Sequence, residues 1–277
     1  MKFNEASKSP SIVKKAIITF IILNFVLSSI FYFFIISFGS LNAVGGLYTF
    51  LLMWCPAIAA IITSFIFFKS IKEFGWKPGK IKYLIAAYTI PIMYITIAYG
   101  IFWVLDLGVF TGNIPANIII FIVMGTVLSI MFALGEEIGW RGFLVPQLSK
   151  ITTFNYVVLI SGAIWALWHF PIIIFGSYTT GTPLWYSLPI FTLGILASSI
   201  ILAWLRLKSG SLWPAVLLHA SHDFYLGNMF DPLTSGTLSH YLVGETGILL
   251  LAVLLAFALI FWKMRNKLPN TLISGAK

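Results

Sequence analysis

The sequence predicts an all-α, polytopic membrane protein with about eight transmembrane helices. Of its 277 residues, 60% are hydrophobic and only 9% are charged, whereas soluble domains carry about 25% charged residues. Its apolar runs exceed the roughly 18 residues that mark a transmembrane helix. Strict alternation of polar and apolar residues is absent, which favours helices over a β-barrel. We therefore expect one transmembrane domain over residues 1–277.

Eight apolar segments are each long enough to cross a hydrocarbon layer of about 30 Å as a helix. They are Ala16–Phe38, Gly46–Phe68, Tyr83–Leu105, Ala116–Glu137, Asn155–Phe175, Leu184–Leu207, Ser211–Met229 and Thr246–Met264. The first segment is longer than the apolar region of a signal peptide. We therefore expect it to be a membrane span rather than a cleaved leader.

The distribution of basic residues predicts the orientation in the membrane. With eight spans, all 17 Lys and Arg residues fall on one side. Because Lys and Arg concentrate in cytoplasmic loops, this pattern predicts that the N and C termini are both cytoplasmic. The net charge of +9 then reflects membrane topology. We expect the lipid bilayer, and no nucleic acid, as a partner.

Ionisable side chains inside a span cost at least about 2.5 kcal/mol each at the helix centre, so each one needs a reason. Six of them lie in apolar context: Glu136, Glu137, His169, His219, His222 and Asp223. Four others fall in the outer loops, where we expect solvated side chains: Asp106, Asp231, His240 and Glu245. The six residues in apolar context are the candidates for a functional site.

Two adjacent carboxylates end the fourth span. Glu137 and Arg141 are four residues apart and can form an ion pair. Adjacent residues of a helix point about 100° apart, which leaves Glu136 free to face another helix. The alternative is that both glutamates cap a charge-paired helix end.

The histidines define two further motifs. His169 lies among aromatic residues of the fifth span, and taken alone it could be a hydrogen-bonded packing residue. On the seventh span, His219 and Asp223 share a helix face, and His222 lies three residues from His219. That spacing suits metal ligation, an imidazole oriented by a carboxylate, or a local polar patch between helices.

Taken together, the three motifs indicate hydrolytic chemistry. A carboxylate near imidazoles can deprotonate water. Imidazoles and Asp223 can position that water, bind a metal or stabilise an oxyanion. However, Glu136, His169 and His219 reach different depths along their helices. They meet only if the fifth helix tilts or begins inside the membrane, after a partly buried segment at residues 142–149.

The motifs follow one another as Glu136-Glu137-x-x-x-Arg141, Trp165-x-x-x-His169 and His219-x-x-x-Asp223. In order and spacing they resemble the motifs of the CPBP family, which comprises type II CAAX prenyl endopeptidases and bacteriocin-processing or Abi-type membrane proteases. The resemblance covers a core at about residues 116–229. It implies an intramembrane endopeptidase with an eight-helix core and a site open to the cytosol.

The resemblance also implies roles for individual residues. Glu136 is the expected general base, His169 and His219 hold the water or the oxyanion, and Asp223 completes the site. Three residues are expected to support it: Glu137, Arg141 and His222.

The sequence leaves the metal dependence open. Zn²⁺ held by His169, His219 and Asp223 is one possibility, and metal-free activation of water by Glu136 is the other. The H-E-x-x-H pattern of soluble zinc proteases is absent. Two positions depart from the resembling family, since Asp223 stands where Asn is usual and Trp165 where Phe is common. The extra charge of Asp223 favours metal binding or a protonated neighbour.

The leading hypothesis is an intramembrane endopeptidase of a prokaryotic plasma membrane. Its substrate is expected to be a peptide or protein, such as a membrane-associated one, cleaved near the cytoplasmic side. A proton-coupled transporter is the alternative, because Glu and His also form proton relays in membranes; no inverted repeat or pair of broken helices supports it. A non-catalytic immunity or scaffold protein that keeps the fold is a third hypothesis.

Overall fold

The structure, a computed structural model, describes residues 9–176, 178, 181–269 and 272. Its α-helices are α1 (Pro10–Phe38), α2 (Leu47–Phe67), α3 (Ile81–Val104), α4 (Ile118–Glu137), α5 (Val145–Leu148), α6 (Phe154–Phe175), α7 (Leu184–Ser209), α8 (Trp213–Asp223), α9 (Ser239–Leu242) and α10 (Ile248–Lys263). Segments of π-helix, Ile138–Leu144 and Phe224–Phe230, continue α4 and α8. Short 3₁₀ turns cover Ala43–Gly46, Lys72–Phe74 and Met264–Lys267. The strands β1 (Val109–Phe110) and β2 (Thr234–Ser235) pair antiparallel.

Long apolar helices dominate the fold. Within the described ranges, seven helices are long enough and apolar enough to cross a membrane. They correspond to seven of the eight predicted segments, and the all-α, polytopic membrane fold is therefore confirmed. Large apolar side chains on their outer faces, such as Phe33 on α1 and Val123 on α4, are exposed. In an integral membrane protein these faces contact lipid.

The remaining predicted segment, Ser211–Met229, is more polar than the others. It is folded as α8, with 11 residues, followed by a π segment of 7 residues. A helix of that combined length spans about 25 Å. Its polar residues His219 and Ser221 are buried against neighbouring helices, chiefly α3 and α4. A span enclosed by protein can be polar, because little of it contacts lipid.

One end of the molecule, here called the basic end, comprises residues 68–80, 149–153, 210–212 and 264–269. Arg206 of α7 links the loop at Glu73 to the π segment. Its guanidinium donates hydrogen bonds to the carbonyl oxygens of Arg141 and Glu73, at 2.8 and 2.7 Å. Lys150 adds an ion pair with Glu73 at 2.6 Å. Three further Lys of the predicted basic side lie outside the described residues: Lys2, Lys8 and Lys277.

The opposite end, here called the hairpin end, comprises residues 105–117 and 231–247. The pairing of β1 with β2 joins these two loops. The hydroxyl of Tyr99 donates to Asp231, and that of Tyr186 donates to the carbonyl oxygen of Tyr241. The long loop after α8 is therefore fixed against α3 and α7.

The chain stays buried where α4 ends. Every residue of the π segment Ile138–Leu144 is buried, and so are Val145 and Leu148. This confirms the expected buried segment between the fourth and fifth predicted spans. The helix that begins as α4 continues through this segment to Leu148, so Glu136 lies well inside the molecule and can meet His169 of α6.

Two glycines allow α4 and its continuation to approach α2 closely. A Cβ atom at Gly135 would lie 2.6 Å from the Met53 carbonyl oxygen, and one at Gly139 would lie 2.4 Å from the Cβ of Pro56. Neither distance leaves room for a larger residue. The glycines flank the two glutamates of the first motif and hold them against α2.

Candidate active site

Glu136 faces α6, as the sequence predicts. The residue is 1% exposed. Its Oε2 atom accepts hydrogen bonds from the indole N–H groups of Trp165, at 2.7 Å, and Trp140, at 3.2 Å. The side chain also lines a cavity. Its Oε1 atom makes no hydrogen bond to any described residue and can therefore interact with a molecule in that cavity.

Glu137 links α4 to α8. Its Oε1 atom accepts a hydrogen bond from the Arg141 guanidinium at 2.8 Å, which confirms the predicted ion pair. The same oxygen lies 2.9 Å from Nδ1 of His219, a contact that the sequence did not indicate. Both Glu137 and Arg141 are buried. The pair therefore orients the His219 ring as well as closing the helix end.

Trp165 connects the charged groups of the first motif to α6. Its indole N–H donates to Glu136, and the Arg141 guanidinium carbon lies 4.1 Å from the centre of its ring. A Phe at this position, common in the resembling family, has no N–H to donate. The departure at Trp165 therefore adds a hydrogen bond to the carboxylate of Glu136.

The tautomer of His169 follows from its contact with the backbone. Its Nδ1 atom lies 3.0 Å from the carbonyl oxygen of Trp165. A carbonyl oxygen only accepts, so Nδ1 carries the hydrogen, and Nε2 of the neutral ring is an acceptor. The neighbouring Trp168 donates its indole N–H to Ser28 of α1 at 2.7 Å. This anchor and the Phe191 ring, 5.1 Å away, fix the imidazole.

The three motifs meet at one cavity. His219 and Asp223 share a face of α8, with Nε2 and Oδ2 3.5 Å apart. Both residues line a cavity of about 200 Å³ together with Glu136 and His169. The structure thus brings the four predicted catalytic residues, from three separate helices, around one space. We call this space the site cavity.

His222 points away from Glu136 and contacts a residue of the hairpin end. Its Nδ1 atom lies 2.7 Å from the Tyr94 hydroxyl, and its Nε2 atom lies 3.4 Å from Oε2 of Glu245. Glu245 lies in an outer loop, as the sequence predicts, but its side chain is only 34% exposed. The loop 231–247 folds back and places this carboxylate in a cavity with His219 and Asp223.

The environment of Glu245 favours its ionised form. Burial alone would raise the pKa of the carboxyl. The hydrogen bond with His222 and the nearby histidines outweigh burial and lower the pKa instead. The sequence did not indicate this position of Glu245, because the loop folds back only through its contacts with α3 and α7.

The three proposed zinc ligands do not form a ligand set in this arrangement. Among the described residues, no group of three His, Cys, Asp or Glu side chains is placed to hold a metal ion. Nδ1 of His169 bonds to a carbonyl oxygen and Nδ1 of His219 to Glu137. Only the two Nε2 atoms and Asp223 remain as donors, and Nε2 of His219 already faces Asp223.

The fold and the site define a polytopic membrane protein that encloses a carboxylate and two imidazoles within its span. Residues 115–225 match the family of type II CAAX prenyl endopeptidase Rce1-like proteins. The chain is also 33% identical, over 129 residues, to CAAX prenyl protease 2 of Methanococcus maripaludis. That match covers 45% of this chain and 45% of the relative. Both matches confirm the resemblance that the three motifs indicate, and each covers less than half of this chain.

Proposed function

We propose that the protein is an intramembrane endopeptidase that activates water with Glu136. The observation that carries the proposal is the site cavity, where Glu136, His169, His219 and Asp223 face the same space of about 200 Å³. Such a volume accommodates several water molecules, since each occupies about 30 Å³ in the liquid. A carboxylate, two imidazoles and enclosed water are the components that peptide hydrolysis needs.

In the proposed reaction, the Glu136 carboxylate takes a proton from a water molecule, and the resulting hydroxide attacks the scissile carbonyl carbon. The tautomer of His169 suits it to accept a hydrogen from that water at Nε2. His219, held between Glu137 and Asp223, can donate a hydrogen bond to the oxyanion when its ring is protonated. Glu136 then returns its proton to the leaving nitrogen, so that water and a peptide bond yield a carboxylate and an amine.

The proposal assigns no step to a metal and uses only the side chains that line the site cavity. A C-terminal prenylated peptide is the first substrate to test, in view of the name of the archaeal relative. Membrane-associated peptides without a prenyl group are the second class. The expected location is the plasma membrane of a prokaryote.

The first test compares two carboxylate-to-amide variants of the purified protein. Glu136→Gln should lower kcat for peptide cleavage by about 10²–10⁴-fold, the usual contribution of a general base. Glu73→Gln is the matched control, because Glu73 is exposed at the basic end and, among the described residues, its carboxylate pairs only with Lys150. Cleavage by Glu136→Gln at the wild-type rate would reject the mechanism. A transporter or a scaffold would show no Glu136-dependent cleavage.

A further inference from the structure

A strongly basic segment joins α2 to α3 at the basic end. We call residues 69–82 the lysine loop, because five of them are exposed lysines: Lys69, Lys72, Lys77, Lys80 and Lys82. Among the described residues, none of the five forms a salt bridge. The one carboxylate of the loop, Glu73, is paired with Lys150 from another part of the chain. The lysine loop therefore presents positive charge that no described carboxylate balances.

Hydrogen bonds from the start of α8 fix the backbone of the lysine loop. The Ser211 hydroxyl donates to the carbonyl oxygen of Lys77 at 2.6 Å, and the Trp213 indole N–H donates to that of Trp76 at 2.7 Å. These contacts use backbone oxygens and leave the lysine side chains in solvent. The backbone positions of the lysines are therefore set before any anion binds, which lowers the entropy cost of binding.

The lysine loop lies next to side chains that contact lipid. Phe65 and Ile66 in the last turn of α2 are exposed, and so are Ile81 and Ile85 at the start of α3. In an integral membrane protein such apolar faces contact acyl chains, so the loop between the two helices lies at the level of the headgroups. Trp76 of the loop is 37% exposed, and Trp is a residue type that concentrates at this level.

We propose that the lysine loop binds the headgroups of anionic phospholipids. Phosphate oxygens accept charge-assisted hydrogen bonds from ammonium groups, and clusters of about four to eight basic residues beside a transmembrane helix are typical of anionic lipid binding. An acidic protein would pair with the lysines but leave the apolar faces beside them unused. A lipid satisfies both, because its headgroup pairs with the lysines while its acyl chains contact α2 and α3.

The lysine loop also packs on the segment that follows the first motif. Phe74 of the loop is 2% exposed, and its ring centre lies 6.4 Å from that of Phe143 in the π segment. Arg206 bonds to the loop at Glu73 and to the π segment at Arg141. A lipid held by the loop should therefore stabilise the folded protein, since a ligand that binds only the folded state raises its stability.

Lipid binding is measured by fluorescence in a neutral detergent, with dioleoylphosphatidylglycerol as the anionic probe and dioleoylphosphatidylcholine as the zwitterionic one. In a Cys55→Ser background, Pro78→Cys carries an environment-sensitive fluorophore at an exposed position of the loop. Two variants of this parent protein each lose four exposed or partly exposed lysines. The loop variant combines Lys69→Gln, Lys72→Gln, Lys77→Gln and Lys80→Gln, and the control variant combines Lys14→Gln, Lys15→Gln, Lys263→Gln and Lys267→Gln.

The loop variant should need at least about tenfold more phosphatidylglycerol for half-saturation than the parent protein, because each lysine near an anionic surface strengthens binding roughly fivefold. The control variant loses the same charge elsewhere at the basic end and should need at most about twofold more. An equal shift in both variants would assign the attraction to the net charge of the basic end and overturn the proposal. Equal binding of the two lipids to the parent protein would overturn it as well.

Two further comparisons test the role of charge and the need for a lipid. Arginine in place of glutamine at the four loop positions keeps the charge and should restore binding, so a loss equal to that of the loop variant would contradict the proposal. Phosphatidylglycerol should raise the melting temperature of the parent protein by several degrees and that of the loop variant by less. Inorganic phosphate at the same concentration should produce neither response. If it produces both, the loop binds phosphate rather than lipid, and the proposal fails.

Discussion

At the basic end the loops are linked to one another by hydrogen bonds, whereas at the hairpin end they surround open space. Arg206 donates to the carbonyl oxygen of Glu73 in the basic end and to that of Arg141 in the adjoining π segment, and this π segment is wholly buried. The hairpin end is joined mainly at its edges, by β1 pairing with β2 and by Tyr186 bonding to Tyr241. Between these edges lies a cavity of about 400 Å³.

The two ends of the molecule have different roles. Dense packing on the basic side holds Glu137 and Arg141 and thereby fixes the positions of Glu136 and His219. The open side leaves those groups accessible. A preorganised site needs both, because its groups must be held rigidly and still be reached by substrate.

The largest effect is expected from labelling the two ends in cells. In a Cys55→Ser background, Lys77→Cys lies at the basic end and Asp106→Cys at the hairpin end, and both native residues are exposed. The positive-inside pattern predicts that a membrane-impermeant maleimide labels only Asp106→Cys from outside. Labelling of both positions from the same side would contradict the predicted topology, in which the two ends face opposite sides of the membrane.

The second prediction compares a buried ion pair with an exposed one, both on the basic side. Arg141→Ala leaves Glu137, which is fully buried, without its cation, and should cost about 3–5 kcal/mol of unfolding free energy. Lys150→Ala removes the exposed partner of Glu73 and should cost at most about 1 kcal/mol. Thermal unfolding in detergent measures both changes. Similar melting temperatures in the two variants would show that the buried pair does not hold the helix end.

Hydropathy predicted the long helices better than the loops of the hairpin end. Long lipid-facing helices are recognisable because every turn is apolar, and the Glu137–Arg141 pair follows from spacing alone. The contact of Glu245 with His222 was missed, because it needs the loop after α8 to fold back. That fold depends on two-residue strands and on the bond between Tyr99 and Asp231, which leave no periodic pattern in the sequence.

The sequence identified four residues that share a cavity, but not the contacts between them. Residue spacing identified Glu136, His169, His219 and Asp223, and they line one cavity. Spacing could not show that Glu137, rather than Glu136, bonds to His219. Which of two adjacent carboxylates meets a partner depends on how α4 and α8 are rotated about their axes, and packing sets that rotation.

The third prediction concerns Trp165, whose indole N–H donates a hydrogen bond to Glu136. Trp165→Phe removes this donor and keeps an aromatic ring. Without this hydrogen bond the carboxylate is less well oriented, which should raise the activation free energy by about 1.4 kcal/mol and lower kcat for peptide cleavage about tenfold. KM should change little. Trp213→Phe is the matched control, because its indole N–H donates to the Trp76 carbonyl oxygen at the basic end. An equal loss of kcat in both variants would indicate general loosening rather than a role at Glu136.

The smallest effect on peptide cleavage is expected from Asp223→Asn. Its Oδ2 atom lies 3.5 Å from Nε2 of His219, and its side chain is 34% exposed. An amide in the same place can both accept and donate hydrogen bonds, but it is a much weaker metal ligand than a carboxylate. Without a metal, Asp223→Asn should therefore keep kcat within about twofold, or about 0.5 kcal/mol. Asp106→Asn, an exposed carboxylate of the hairpin end, is the control.

Metal analysis of the same two preparations makes the last test decisive. If Asp223, His169 and His219 bound zinc after rearranging, the wild type would contain one equivalent, and Asp223→Asn would lose zinc and activity together. Metal-free hydrolysis, as proposed, predicts neither. The resembling family usually carries Asn at this position, which agrees with a role in holding water. Stoichiometric zinc that disappears with activity in Asp223→Asn would overturn metal-free hydrolysis while leaving Glu136 as the base.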